Sequence, residues 1–157
     1  MHFSTFPRTK PPMQFVTAVF DVFCRHQREI GTVALEKGLS SDDVMSILRE
    51  GLCELGFHIE AGKRHAQKLK RPVFFGEDGR PSRQYEIDGF HPDWNCGIEI
   101  EAGRAWMGNA IYRDLVQAMV MVDLEHLIVA VPIGYKYLSG GKPVTSNDYA
   151  NTISVAD

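Results

Sequence analysis

Residues 86–101 constrain this chain more than any other stretch. They read Glu86-Ile-Asp-Gly-Phe-His-Pro-Asp-Trp-Asn-Cys-Gly-Ile-Glu-Ile-Glu101. Acids alternate with isoleucines on both sides of a turn-like centre. Strand side chains alternate between faces, so Glu86 and Asp88 share one face, as do Glu99 and Glu101. A hairpin closing around Pro92, Asp93, Trp94 and Asn95 sets Asp88 opposite Glu99 and Glu86 opposite Glu101. Like charges facing each other across two strands are destabilising. Such a patch needs a cation, shared protons or open water. The plain alternative is an amphipathic hairpin whose acids simply face solvent.

The chain has 157 residues, 44% of them hydrophobic and 24% charged, which suits a single domain with a real core, 1–157. A net charge of −3 excludes a strongly basic nucleic-acid binder but leaves room for a local basic patch. Cys24, Cys53 and Cys96 are scattered and odd in number, as expected of thiols in a reducing compartment. There is no apolar run of membrane-spanning length and no signal-peptide pattern, so the expected location is cytoplasmic.

Proline-rich residues 1–12 read as an N-terminal arm. Phe15, Val19, Val22 and Phe23 give the first helix its apolar face. Ser41, Asp42 and Asp43 start a second helix that Gly56 ends. Its stripe is Val44, Ile47, Leu48, Gly51, Leu52 and Leu55, which puts Glu54 nearer the core than Glu50. The run 63–71 concentrates positive charge in Lys63, Arg64, Lys68, Lys70 and Arg71. It is either a solvated segment or one that contacts phosphates. Strands follow at 73–75, 83–90 and 97–101, predicting an antiparallel meander. A helix over 109–123 and an apolar strand at 127–131 predict a right-handed parallel crossover. Asn109, Arg113 and Gln117 form that helix's polar stripe. Residues 140–143 read as a loop and 147–157 as a last helix.

The motif Asp88…Glu99-Ile-Glu101, placed on these strands and followed by helix and apolar strand, resembles the PD-(D/E)xK nuclease superfamily. The resemblance covers roughly 41–132. Glu101 stands where most of the superfamily has lysine. That substitution points to the BamHI/BglII-like restriction endonucleases, as does the stretch from Gly108 to Leu115. Ile87 precedes Asp88 where the superfamily often has proline. The resemblance implies an α/β, restriction-endonuclease-like core: a mixed sheet of four or more strands, antiparallel meander plus parallel crossover strand, flanked by helices. It also implies a Mg²⁺-dependent DNA endonuclease, with Mn²⁺ able to substitute, acting as a homodimer. An auxiliary acid on the preceding helix maps to Glu54 or Glu50, and a glutamine on the following helix to Gln117.

The chemistry is consistent with these residue types. Phosphodiester hydrolysis needs an activated water and neutralised phosphate charge, and Mg²⁺ with hard oxygen ligands supplies both. Asp88, Glu99 and the Ile100 carbonyl would hold the metal, and Glu101 would orient or deprotonate the water. Glu86 is not required. Arg104, just beyond the motif, is either a phosphate contact or a surface charge. Without metal, repulsion should raise the pKa of at least one acid. Two other functions stay open: a catalytically inactive nuclease-fold module that binds DNA or protein, and a metal-dependent phosphoesterase acting on another ester.

Overall fold

The computed structural model describes residues 1–32, 35–62, 64–102 and 109–157. Lys63 and Arg104, both expected to contact DNA, lie outside the described residues.

Helix α1 spans Gln14–Arg25, with a short α2 at Gln27–Ile30. Helix α3, Ser41–Glu54, starts one residue beyond its cap, Ser40. Ser40 Oγ accepts the Asp43 N–H while Asp43 accepts the Ser40 N–H, a capping box that satisfies two donors at the helix start. Then come β1 (His58–Ile59), β2 (Leu69–Phe75), β3 (Pro81–Ile87), β4 (Gly89–His91) and β5 (Cys96–Ile100). Helix α4 covers Ala110–Val120, followed by β6 (His126–Ala130), β7 (Tyr135–Ser139), β8 (Lys142–Ser146) and α5 (Asp148–Ala156).

The central sheet has the order β1-β4-β5-β6. β4 is antiparallel to β1 and β5, whereas β5 and β6 are parallel and linked through α4. The sheet is therefore mixed, with helices against it. The turn closes where expected: His91 pairs with Cys96, leaving Pro92–Asn95 as the loop, with Asn95 at φ 46°.

The meander needs correction. The segment expected as one strand over 83–90 is broken at Asp88. Its first part, β3, pairs with β2 in a separate two-stranded ribbon. Its second part, β4, enters the sheet. The edge strand beside β4 is β1, not the 73–75 strand. Gly89 permits this switch, because a Cβ there would lie 2.6 Å from Ile59 Cδ1 and 2.7 Å from Ile98 Cγ2. The β4–β5 pairing ends at Gly89↔Ile98, and Asp88 and Glu99 are the next residues out on the two chains, both lining one cleft. Glu86, however, faces Lys70 across the ribbon instead of Glu101. The loop expected over 140–143 is a hairpin: Gly140 and Gly141, at φ 57° and 78°, join β7 to β8.

Period-2 alternation in β5 divides the two faces. Cys96, Ile98 and Ile100 enter the larger core with Val19, Val22, Leu48, Leu52 and Phe57 from α1, α3 and the α3–β1 turn. The intervening Gly97 faces Ile87 and Leu124. Glu99 shares that second face, where a smaller core of Val73, Ile87, Phe90 and Met121 lies.

Candidate active site

Asp88 stands at the strand switch and is held from two sides. Its backbone carbonyl accepts the Glu60 N–H at 2.9 Å, extending the β1–β4 pairing by one residue. Its Oδ2 accepts the Ile100 N–H at 2.8 Å. An unbroken β4–β5 ladder would offer that N–H a backbone carbonyl from position 87; with β3 diverted into the ribbon, the carboxylate takes its place. The motif's first acid is thus fastened to the strand that carries the other two.

Asp88, Glu99, Ile100 and Glu101 line one cleft of about 540 Å³. Helix α4 contributes Arg113, Asp114 and Gln117. The ribbon contributes Gln84, Tyr85, Glu86 and Ile87, and the start of α3 contributes Ser41 and Asp42. Ser41 Oγ accepts the Ala102 N–H at 3.1 Å, tying that helix start to the end of β5. Glu60 and Lys68 complete the wall.

The electrostatics are those of crowded, half-buried acids. Burial, reinforced by the charges of Asp88, Asp114 and Glu101, pushes the Glu99 carboxyl up to about 9. Burial also raises Glu101 to about 7, with help from the charge and hydrogen bonding of Asp114. Asp88 rises to about 6, again mainly through burial, although its hydrogen bond from Ile100 opposes the shift. Two cations offset part of this repulsion. Arg113 bonds Asp114 Oδ1 at 2.9 Å and reaches Glu101 Oε1 at 3.5 Å. Lys68 Nζ lies 2.8 Å from Glu60 Oε2, and that hydrogen-bonded pairing raises the lysine's pKa.

Sequence reasoning missed Glu60, which is only 8% exposed. Its signal was faint: one acid after a two-residue strand, eight positions before the lysine that neutralises it. Asp114 pairs with Arg113, and it is also a buried cleft acid, 4% exposed, whose Oδ2 meets no donor among the described residues. Glu54 and Glu50 are both exposed and absent from the cleft wall. α3 points its N-terminus at the cleft and Glu54 occupies the opposite end, so the helix brings neither glutamate to the cleft, whose wall carries Glu60. Gln117 does reach the cleft.

The basic run is divided among several jobs. Lys68 neutralises Glu60, and Lys70 faces Glu86. Arg71 covers the Phe90 ring at 3.8 Å, lies 3.6 Å from Asp123 and bonds the Val122 carbonyl at 3.4 Å. Arg64 is exposed, at the start of a short 3₁₀ turn. His91 is a structural anchor: Nε2 donates to the Leu55 carbonyl at 2.8 Å, Nδ1 accepts the Trp94 N–H at 3.3 Å, and the ring stacks on Trp94.

By donor type the acids fit a hard divalent cation, since every candidate ligand is oxygen. The orphaned Asp114 Oδ2 and the raised carboxylates also fit the addition of positive charge. Their spacing is not that of a closed coordination shell: among the described residues, no three His, Cys, Asp or Glu side chains are grouped tightly enough to hold an ion. The acids share a cleft without sharing one ligand sphere.

No family model, curated protein or solved structure matches the chain. Any functional reading therefore rests on the cleft itself and on the motif that lines it.

Proposed function

We propose that the protein is a Mg²⁺-dependent endonuclease that hydrolyses DNA phosphodiesters, with a restriction-endonuclease-like core. The observation that carries this reading is the arrangement of Asp88, Glu99 and Glu101: two strands bring them into one open cleft, in the order and spacing of the motif. Asp88, Glu99 and the Ile100 carbonyl would hold the metal, which when bound supplies an activated water and charge neutralisation at the phosphate. Glu101 can take the proton, because a carboxyl raised to about 7 is half ionised near neutral pH. Arg113, whose side chain is 58% exposed beside Glu101, would meet a phosphate oxygen at the cleft mouth. Gln117 adds a neutral donor on the same wall. Lys68 is committed to Glu60, so it serves the cleft's charge balance in preference to direct contact.

A homodimer has a surface to form through. The outer face of α4 leaves Tyr112, Val116, Met119 and Val120 exposed, at 49%, 61%, 84% and 44%. Their spacing makes one contiguous apolar stripe along the helix, the kind of exposed surface that marks an association site. No helix among the described residues is long and apolar enough to cross a membrane. The three unpaired thiols suit a cytoplasmic setting.

The test is incubation with supercoiled plasmid and Mg²⁺ or Mn²⁺, beside Asp88→Ala and Glu99→Ala. Metal-dependent nicking by the wild type, lost in both variants, is the expected result. Plasmid left intact by all three would sink the reading. The rival, a nuclease-fold binding module without cleavage, draws on one observation: the acids do not form a closed ligand set. It predicts DNA or protein binding with no metal-dependent nicking. A phosphoesterase acting on another ester would spare the plasmid and hydrolyse a small phosphodiester.

A further inference from the structure

The ribbon formed by β2 and β3 is the part of the fold that the core does not explain. Its base is anchored: Val73 and Ile87 are 7% and 2% exposed, in the smaller core. Beyond that base it stands free. Phe74 and Phe75 are 64% and 51% exposed. Both rings therefore lie beyond the covered base of the ribbon. The pairing shifts register on each side of Phe74, a bulged irregularity confined to this point.

Two features indicate what these rings meet. Phe74 pairs across the ribbon with Arg83, an exposed guanidinium with no ion-pair partner among the described residues. A ring beside a free guanidinium matches a base beside a phosphate. The second feature is continuity: the strand carrying Arg83 runs directly into Gln84, Tyr85, Glu86 and Ile87, which line the cleft. Arg80, by contrast, lies 3.7 Å from Asp78, and Glu77 adds a further negative charge at the turn. The turn therefore carries a net charge of −1, which Arg83 balances from the adjoining strand, so the grip of the arm comes from the rings more than from charge.

We infer that the β2–β3 ribbon is a nucleic-acid-contacting arm, with Phe74 and Phe75 packing against bases and Arg83 against the adjoining phosphate. Two-stranded ribbons fit nucleic-acid grooves, and exposed phenylalanines stack on bases or wedge between them. This deepens the nuclease reading and rests on it for the class of ligand.

The experiment is fluorescence anisotropy of a labelled DNA duplex titrated with the full chain, with Ca²⁺ replacing Mg²⁺, at several salt concentrations. The proteins are wild type, Phe74→Ala/Phe75→Ala, Phe74→Trp/Phe75→Trp and Arg83→Ala. Loss of the rings should weaken binding roughly tenfold per ring while leaving the salt slope unchanged. The tryptophan pair should restore affinity, which a loss of folding would not allow. Arg83→Ala should lower the salt slope by about one. Binding unchanged by the alanine pair, or no duplex binding by wild type, overturns the arm. Plasmid nicking by wild type, run in parallel, separates the two readings. Nicking with ribbon-independent binding leaves the cleft standing and removes the arm. Ribbon-dependent binding without nicking does the reverse.

Discussion

The Asp88 carboxylate accepts the Ile100 N–H at 2.8 Å and so occupies a position that a backbone carbonyl would hold in an unbroken ladder. One acid therefore closes the sheet and faces the cleft. The two roles can be separated. Asp88→Asn keeps an oxygen acceptor and should fold with stability close to wild type, while metal-dependent cleavage falls by at least about a hundredfold. Asp88→Ala should lose the activity and also about 1–3 kcal/mol, because it strands the Ile100 N–H. Urea unfolding in chelator, beside plasmid nicking, measures both. Equal stability of the two variants would show that the bond does no structural work.

The raised carboxyls give the metal-free protein a defined pH dependence. Asp88, Glu101 and Glu99 have folded pKa values of about 6, 7 and 9, above ordinary values of 3.8, 4.5 and 4.5. In that interval the folded state binds more protons than the unfolded one, so stability falls as pH rises. The contribution is fully present below about pH 4 and is lost through pH 6 to 9. Thermal melts in chelator should drop steadily from pH 5 to 9. Glu99→Gln should flatten the upper part of that decline, and Mg²⁺ should restore stability at pH 8. A melting temperature that climbs across this range would contradict the burial of these groups.

Glu60 and Lys68 form the most enclosed ion pair at the site among the described residues, with side chains 9% and 22% exposed. Breaking it from one side leaves a buried charge alone. Lys68→Met should cost roughly 2–4 kcal/mol, somewhat below a fully buried pair because the lysine keeps some solvent. Adding Glu60→Gln should recover most of that loss. Additive losses in the two single variants would mean that the pair is not coupled.

The apolar stripe of α4 predicts an association that one charge can prevent. Wild type should sediment as a dimer at micromolar concentration, and Met119→Asp as a monomer with an unchanged melt. Met119 is 84% exposed, so the substitution disturbs no core. A monomeric wild type under the same conditions would remove the stripe from consideration as a self-association surface.

What could be read from the residues followed local periodicity. The four-residue turn and the strand alternation set the β4–β5 register, and Asp88 and Glu99 line one cleft just beyond its last pair. The parallel crossover came from a helix set between two short strands. Glu86 was misplaced because nothing but Gly89 marks the break at which β3 leaves the sheet, and a glycine after Asp88 also suits an unbroken strand. Glu54 was misplaced because helical phase tells which face a residue shares and not which end of the helix meets the sheet. The β7–β8 hairpin carried a sign in Gly140-Gly141, and the alternation of Tyr135 and Tyr137 before it would have supported a strand.

The break between Ile87 and Gly89 has a mechanical consequence. Ile87 is the last residue of the ribbon and Gly89 the first of the sheet strand, so Asp88 is the pivot between a free arm and a fixed floor. The floor is held through Glu60 and Ile100, whereas the arm is held along the lower part of β2 and leaves Phe74 and Phe75 exposed. Any load placed on the far end of the arm is shared between the Asp88 joint on β3 and the bonds that hold the middle of β2, where the Pro72 carbonyl accepts the Val122 N–H at 2.8 Å and Arg71 reaches the Val122 carbonyl at 3.4 Å.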